Sequence, residues 1–83
     1  MKTKILLVDD HPAIRTTMFD VMVNEGFDVQ VAECGEDAIR AYSNDTFQFV
    51  LMDMQMPDMK GVDAYRKMLE HNQIHAKFIF ISA

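Results

Sequence analysis

The sequence predicts an α/β protein built on a small doubly wound parallel sheet. Three short apolar runs each end in a polar side chain: Ile5–Val8 before Asp9, Phe49–Met52 before Asp53, and Phe78–Ile81 before Ser82. Continuous apolar runs of four residues are typical of strands that are buried on both faces. Segments with helical spacing separate the runs, and alternation of strand and helix favours parallel strands joined by right-handed crossovers.

The first helix follows the first strand. His11-Pro12 indicates its start, because proline suits the first helical turn, where its missing N–H is no loss. Gly26 is expected to end the helix, because glycine adopts left-handed backbone angles without steric cost. Its apolar face has residues at helical spacing, and which of them pack in the core stays open: Ile14, Met18, Val21 and Met22.

The rest of the chain continues the alternation. Val29–Ala32 predicts a short strand, and its partly alternating pattern favours an edge position in the sheet. A second helix is expected from about Gly35, and a third after the turn residues that end at Gly61. Their predicted buried faces are Ala38, Ala41 and Tyr42 in the second helix and Val62, Tyr65 and Leu69 in the third. The resulting order is βαβαβαβ.

Composition narrows the class of protein. The 83 residues support one small domain, and the net charge of −5 argues against nonspecific binding to nucleic acid. The single cysteine, Cys34, excludes an internal disulfide. Because no apolar run reaches the length of a membrane span and the N-terminus lacks a secretory pattern, we expect a soluble, cytoplasmic protein without a membrane partner.

Acidic residues follow two of the predicted strands. The carboxyl ends of parallel strands meet at one edge of the sheet, so Asp9, Asp10 and Asp53 are expected to lie in one crevice. Like charges this close repel unless a cation lies among them, and Mg²⁺ prefers oxygen ligands. A backbone carbonyl after Asp53 is a further candidate ligand. Asp53 is also the best candidate for a nucleophile that forms an acyl phosphate, with Ser82 donating a hydrogen bond to a phosphoryl oxygen.

Simpler interpretations of these residues stay open at this point. Asp10 directly precedes a predicted helix and suits a helix N-cap. Ser82 also suits a plain strand-end hydroxyl. His11 lies next to the acids but is expected to pack or to cap the helix rather than to take part in chemistry.

Three segments resemble the receiver domain of bacterial two-component response regulators: Leu6–Pro12, Val50–Gly61 and Phe80–Ala83. The resemblance implies a flavodoxin-like sheet in which the strands present here have the order 2-1-3-4. It implies Mg²⁺-dependent phosphorylation of Asp53 by a sensor histidine kinase or a histidine phosphotransfer protein. Asp10 and Asp53 would bind Mg²⁺ directly, Asp9 largely through water, and the backbone carbonyl of Gln55 would complete the ligands. Ser82 takes the place of the switch hydroxyl.

The chain departs from that family at its C-terminal end. Residues 1–83 are expected to form a receiver-like domain without the family's fifth strand, its last two helices and the lysine that ends the fifth strand. Phe78–Ile81 would then be an apolar edge strand, and such edges are templates for self-association. The expected function is phosphorelay signalling, with catalysis limited to the domain's own phosphorylation and dephosphorylation.

Two other functions compete with signalling. A receiver-like docking module would bind a kinase but accept phosphate poorly, because the lysine is absent. An Mg²⁺-dependent phosphohydrolase would also use a strand-end aspartate, but that class typically has a second aspartate two residues later, where this chain has Gln55.

Overall fold

The computed structural model describes residues 2–71 and 76–81. Strands and helices alternate along the chain as predicted. The strands are β1 (Lys4–Val8), β2 (Asp28–Ala32), β3 (Phe49–Asp53) and β4 (Lys77–Ile81). The helices are α1 (Pro12–Asn24), α2 (Gly35–Asn44) and α3 (Gly61–His71).

The four strands form one parallel sheet in the order β2-β1-β3-β4. This order confirms the predicted doubly wound fold and the edge position of β2. In register, Val8 of β1 lies beside Ala32 of β2 and Met52 of β3. The carboxyl ends of β1 and β3 are therefore neighbours, as the crevice requires.

The main core lies between the sheet and helices α2 and α3. It is completely buried at its centre, where Tyr42 of α2 packs near the aromatic rings of Phe47 and Phe78. Ala38 and Tyr42 confirm the predicted face of α2, and Ala41 packs against the cluster as a half-buried neighbour. The other members of the buried cluster are Leu6, Val8, Ala32, Val50, Met52, Ala64 and Met68.

The apolar face of α1 is only partly buried. Ile14 and Val21 are exposed, at 40% and 56%, whereas Met18 and Met22 are half-buried. The half-buried face of α1 is made by Arg15, Met18, Phe19 and Met22. Arg15 explains the rotation, because its guanidinium donates a hydrogen bond to the carbonyl of Asp9 and holds that side of the helix against the end of β1.

The buried face of α3 differs in part from the predicted one. Val62 is 42% exposed, whereas Tyr65 and Leu69 are half-buried as expected. The fully buried positions are Ala64 and Met68, which the spacing argument passed over. Tyr65 packs edge-on against Phe78 and Phe80 of β4, so the contact with the edge strand determines which side of α3 faces inward.

None of the helices in the described residues is long and apolar enough to cross a membrane.

Candidate functional site at the carboxyl ends of the strands

Three carboxylates and an imidazole meet at the carboxyl ends of β1 and β3. Asp9 and Asp10 follow β1 directly, His11 is the N-cap residue of α1, and Asp53 is the last residue of β3. One ligand atom from each of these four residues can be chosen so that all lie within 4.8 Å of one another. The structure therefore brings together all three carboxylates that the sequence predicted to share a crevice.

Asp9 is almost completely buried, with 3% of the residue exposed. Its backbone N–H donates to the carbonyl of Ala32, which ties the end of β1 to the edge strand β2. Its Oδ1 accepts a hydrogen bond of 2.8 Å from the backbone N–H of His11 and lies 3.0 Å from the Nδ1 atom of that residue. These contacts fix the Asp9 carboxylate between the strand end and the start of α1.

Asp53 is a second nearly buried carboxylate of the group. The residue is 6% exposed, and its Oδ1 accepts a hydrogen bond of 3.1 Å from the backbone N–H of Gln55. Burial raises the pKa of Asp53, and the nearby Asp10 and Asp9 raise it further, against the opposing effect of the Gln55 N–H. A buried carboxylate at the end of a rigid strand, held in a negative environment, has the properties expected of a cation ligand or a nucleophile.

His11 lies among the three acids. Its Nδ1 is 3.3 Å from an Asp10 oxygen and 3.7 Å from an Asp53 oxygen, in addition to its contact with Asp9. The hydrogen bond to Asp9 and the negative charge of Asp10 raise the pKa of the His11 imidazole. The neighbouring acids thus favour the protonated form of this imidazole.

Asp10 supports a cation at this site. Its Oδ1 atom is buried and accepts no hydrogen bond from the described residues, although the Nδ1 atom of His11 lies 3.3 Å away. A buried acceptor without a donor is costly, and a metal ion supplies the missing interaction. The donor set of three carboxylates fits Mg²⁺, which binds oxygen ligands and usually keeps several waters. The simpler interpretation of Asp10 as an N-cap is not supported, because the N-cap residue of α1 is His11.

The loop after β3 folds back tightly onto itself. Gln55 and Lys60 face each other across a short antiparallel bridge, flanked by a hydrogen bond of 2.8 Å from the Gly61 N–H to the Met54 carbonyl and one of 3.1 Å between Met56 and Met59. Because the flanking residues make the bridge bonds, the carbonyl of Gln55 is not used in this ladder. Its role as a metal ligand stays a prediction.

Sequence reasoning missed the role of Asp58. Its two carboxylate oxygens accept hydrogen bonds of 2.9 Å from the backbone N–H groups of Gly35 and Glu36, the first residues of α2. Asp58 therefore caps a helix from another part of the chain, 23 residues away from Gly35. Local capping rules examine only neighbouring residues, so no sequence signal indicated this contact. Ser82, the predicted switch hydroxyl, lies outside the described residues.

Comparison with known proteins identifies the family. The sequence model of the family called response regulator receiver domain matches residues 5–83, nearly the whole chain. The chain belongs to the response regulator receiver family. Among curated proteins, the transcriptional regulatory protein TrcR of Mycobacterium tuberculosis is 30% identical over 80 residues, which are 96% of this chain and 31% of TrcR. The chain thus spans about a third of the length of that regulatory protein.

Solved receivers have the same fold. The CheY-like receiver domain protein of Methanospirillum hungatei is 27% identical, with a TM-score of 0.92 over 99% of this chain and 65% of that one. The response regulator TrrA of Thermotoga maritima, solved in complex with Mg²⁺ and BeF, is 31% identical, with a TM-score of 0.88 over 100% of this chain and 70% of that one. TrrA has also been solved in complex with the histidine kinase ThkA.

Proposed function

We propose that this receiver domain accepts a phosphoryl group on Asp53 from a phosphohistidine of a partner, in a reaction that depends on Mg²⁺. The observation that carries the proposal is the buried Asp53 carboxylate beside Asp9 and Asp10 at the shared end of β1 and β3. Membership in the receiver family supports phosphorelay signalling, and the complexes of TrrA with Mg²⁺–BeF and with a histidine kinase support the finer proposal.

The residues divide the chemistry between them. An Asp53 oxygen attacks the phosphorus, an acyl phosphate bond forms, and the P–N bond to the donor imidazole breaks, after which that imidazole takes up a proton. Asp10, Asp53 and the Gln55 carbonyl would hold Mg²⁺, with Asp9 acting largely through water. When bound, Mg²⁺ supplies positive charge against the phosphoryl oxygens. We assign Ser82 to a hydrogen bond with one phosphoryl oxygen.

Phosphorylation by a small donor tests this proposal directly. Incubation with acetyl phosphate and Mg²⁺ should add the mass of one phosphoryl group, and the adduct should be absent in Asp53→Asn and strongly reduced in Asp10→Asn. Asp20→Asn, which removes an exposed carboxylate from α1, is the matched control and should be phosphorylated normally. An adduct that persists in Asp53→Asn would show that the acceptor is another residue.

The same experiment distinguishes the competing functions. A docking module would show no adduct at any Mg²⁺ concentration while still binding a kinase. A phosphohydrolase would instead turn over free phosphate esters, but Gln55 stands where that class typically carries its second aspartate. A cytoplasmic location and the absence of direct nucleic-acid binding stay predictions.

The exposed side of α1 is the proposed docking surface for the kinase. Ile14 and Val21 are large apolar side chains exposed on α1, with Ile14 in the first turn of the helix beside the site and Val21 about two turns further along. Ile14→Ala and Val21→Ala should slow transfer from a phosphorylated histidine phosphotransfer domain, because they remove contact area. They should leave labelling by acetyl phosphate unchanged, since that donor needs no docking surface. Equal slowing with both donors would contradict this assignment.

A further inference from the structure

The imidazole of His11 is placed where a fourth metal ligand would lie. Its Nδ1 atom is 3.0 Å from an Asp9 oxygen, 3.3 Å from an Asp10 oxygen and 3.7 Å from an Asp53 oxygen. The side chain is about half exposed, at 52%, so the ring has room to adjust while its Nδ1 stays against the acids. The sequence predicts a packing or capping role for His11, but its side chain donates no hydrogen bond to the start of α1.

These separations match the spacing of ligands around one small divalent ion. Ligand atoms bound about 2.1 Å from an ion lie about 3.0 Å apart at right angles and about 3.4 Å apart at tetrahedral angles. Two of the three distances from Nδ1, 3.0 and 3.3 Å, match these values, and the third, 3.7 Å, is slightly longer. The four donor atoms lie within 4.8 Å of one another, whereas ligands on opposite sides of such an ion lie about 4.2 Å apart, so a small shift of the side chains brings all four onto one ion.

We propose that His11 is a nitrogen ligand of the acidic site, and that it makes the site select Zn²⁺ and similar imidazole-binding transition metals over Mg²⁺. This inference rests on the proposed metal site. Imidazole suits Zn²⁺ and Ni²⁺, whereas Mg²⁺ is served by carboxylate, carbonyl and water oxygens. A site made of oxygen ligands alone favours transition metals over Mg²⁺ only because these metals bind most ligands more tightly. The His11 nitrogen adds a contact that Zn²⁺ uses and Mg²⁺ does not.

Isothermal titration with each metal alone tests the selectivity. The background carries Cys34→Ser, His71→Asn and His75→Asn, because a thiolate and the two other imidazoles of the chain also bind Zn²⁺. In this background, His11→Ala should lower Zn²⁺ affinity by at least about tenfold, since even an outer-shell partner of a ligand typically contributes that much. Mg²⁺ affinity should stay within about twofold. An equal effect on both metals would overturn the proposal.

Nuclear magnetic resonance of the imidazole nitrogens supplies a readout that does not depend on affinity. With ¹⁵N-labelled histidine, at a pH high enough that the imidazole of His11 is neutral in the metal-free protein, Zn²⁺ should shift the Nδ1 resonance of His11, and Mg²⁺ should not. A Zn²⁺-saturated protein with an unchanged His11 resonance would overturn the assignment. The spectrum also shows whether His11→Ala acts through lost ligation or through misfolding, because the backbone amide pattern of a folded variant matches that of the parent.

Asp10→Asn separates this inference from the proposed metal site. If Asp10→Asn weakens both metals while His11→Ala weakens neither, the acidic site stands and the role of His11 is wrong. If Asp10→Asn changes neither affinity, the proposed site itself is wrong, and the inference falls with it. Loss of both metals in Asp10→Asn, together with loss of Zn²⁺ alone in His11→Ala, supports both.

Discussion

The carboxylate of Asp53 lies in a position that disfavours its own negative charge. It is nearly buried, and two further carboxylates lie beside it, with a single imidazole to offset them. Burial and the two neighbouring carboxylates each raise the energy of the charged form and therefore raise the pKa of Asp53. Such an arrangement favours the binding of a cation, or reaction with an electrophile, at Asp53. When neither is bound, the repulsion destabilises the folded state.

Asp53→Asn should therefore stabilise the protein in metal-free buffer at neutral pH. Removing one charge from a like-charged cluster should raise the free energy of unfolding on the order of 1 kcal/mol, the usual effect of improving charge placement. Urea unfolding followed by circular dichroism measures the difference. Asp20→Asn, which changes an exposed carboxylate of α1, should have a much smaller effect.

The pH dependence of stability gives a second check on Asp53. Its pKa is raised in the folded state, so the folded chain holds that proton more tightly than the unfolded chain does. The contribution of this group to stability is thus fully present below the ordinary pKa of 3.8 and is lost as pH rises through the raised folded pKa. Asp53→Asn should remove that decline, and an unchanged pH profile would contradict the electrostatic account.

The acids of the site could be predicted from the sequence because strand ends determine their positions. Asp9 and Asp53 each follow an apolar run, and parallel strands bring such positions to one edge. The role of His11 could not be predicted in this way, because it depends on how the backbone turns into α1. The exposed Ile14 shows the same limit, since apolar spacing alone did not reveal which side of the helix Arg15 would hold inward.

The loop between β3 and α3 connects the site to helix α2. Asp58 in this loop caps the first turn of α2, and the N–H donors of Glu36 and Gly35 lower the pKa of Asp58 even though burial acts to raise it. A helix N-terminus carries unpaired N–H groups and partial positive charge, which a carboxylate satisfies. The cap thus holds the loop that follows Asp53 against the main core.

Asp58→Ala should lower the free energy of unfolding by about 1 kcal/mol, the typical effect of removing a cap. Asp58→Asn should fall in between, because one of the two acceptor oxygens becomes an NH₂ group, which cannot accept from a backbone N–H. Thermal unfolding of the three proteins measures the series. If Asp58→Ala unfolds at the temperature of the parent, the contact with α2 does not contribute to stability.

Glycine is needed at position 61, where α3 begins, because backbone atoms of Asp53 and Met54 lie against it and cannot move aside as a side chain can. A Cβ atom at this position would meet the backbone carbonyl oxygen of Asp53 and the Cα of Met54. Gly61→Ala should therefore displace the loop and lower stability by about 1–3 kcal/mol, as overpacking does. It should also reduce phosphorylation of Asp53 by acetyl phosphate, because the displaced atoms include the backbone of the acceptor itself.

Gly26→Ala is the matched control for this substitution. Gly26 has a φ of 95° but open space around its Cα, so alanine there introduces backbone strain of about 1–2 kcal/mol without a steric clash. Both variants should be less stable than the parent, yet only Gly61→Ala should change the backbone amide resonances around Asp53. Equal changes at that site in both variants would show that general destabilisation, not the close approach, is responsible.

The two edges of the sheet differ in how well they resist pairing with another chain. In β2, the exposed positions include the polar Asp28 and Gln30, which discourage strand addition. In β4, the exposed large side chains are Ile79 and Phe80, at 47% and 38%. Within the described residues, β4 is paired with β3 alone, so its other side presents backbone groups to solvent. The alternation of strands and helices and the sheet topology were predictable from the sequence. The contrast between the edges follows from them, because the topology makes β2 and β4 the two edge strands.

We expect the 83-residue chain to self-associate through β4. Two copies related by a twofold axis can add their edge strands to each other, which satisfies the backbone groups and covers Ile79. Sedimentation velocity should then show a dimer whose fraction rises with protein concentration. Ile79→Lys should shift the equilibrium to the monomer, because a charged side chain on an edge strand opposes pairing.

Val31→Lys provides the control for that experiment on the opposite edge. Val31 of β2 is 42% exposed, close to the 47% of Ile79. It also lies on the same face and in the same row of the sheet as Ile79, because Val31 pairs with Leu7, Leu7 with Leu51, and Leu51 with Ile79. The substitution adds the same charge and removes a similar apolar surface, but it leaves β4 intact, so the dimer should persist. If both variants dissociate the dimer equally, the contact is not specific to β4. If the parent chain stays monomeric at every concentration, the side of β4 away from β3 does not pair with a second copy.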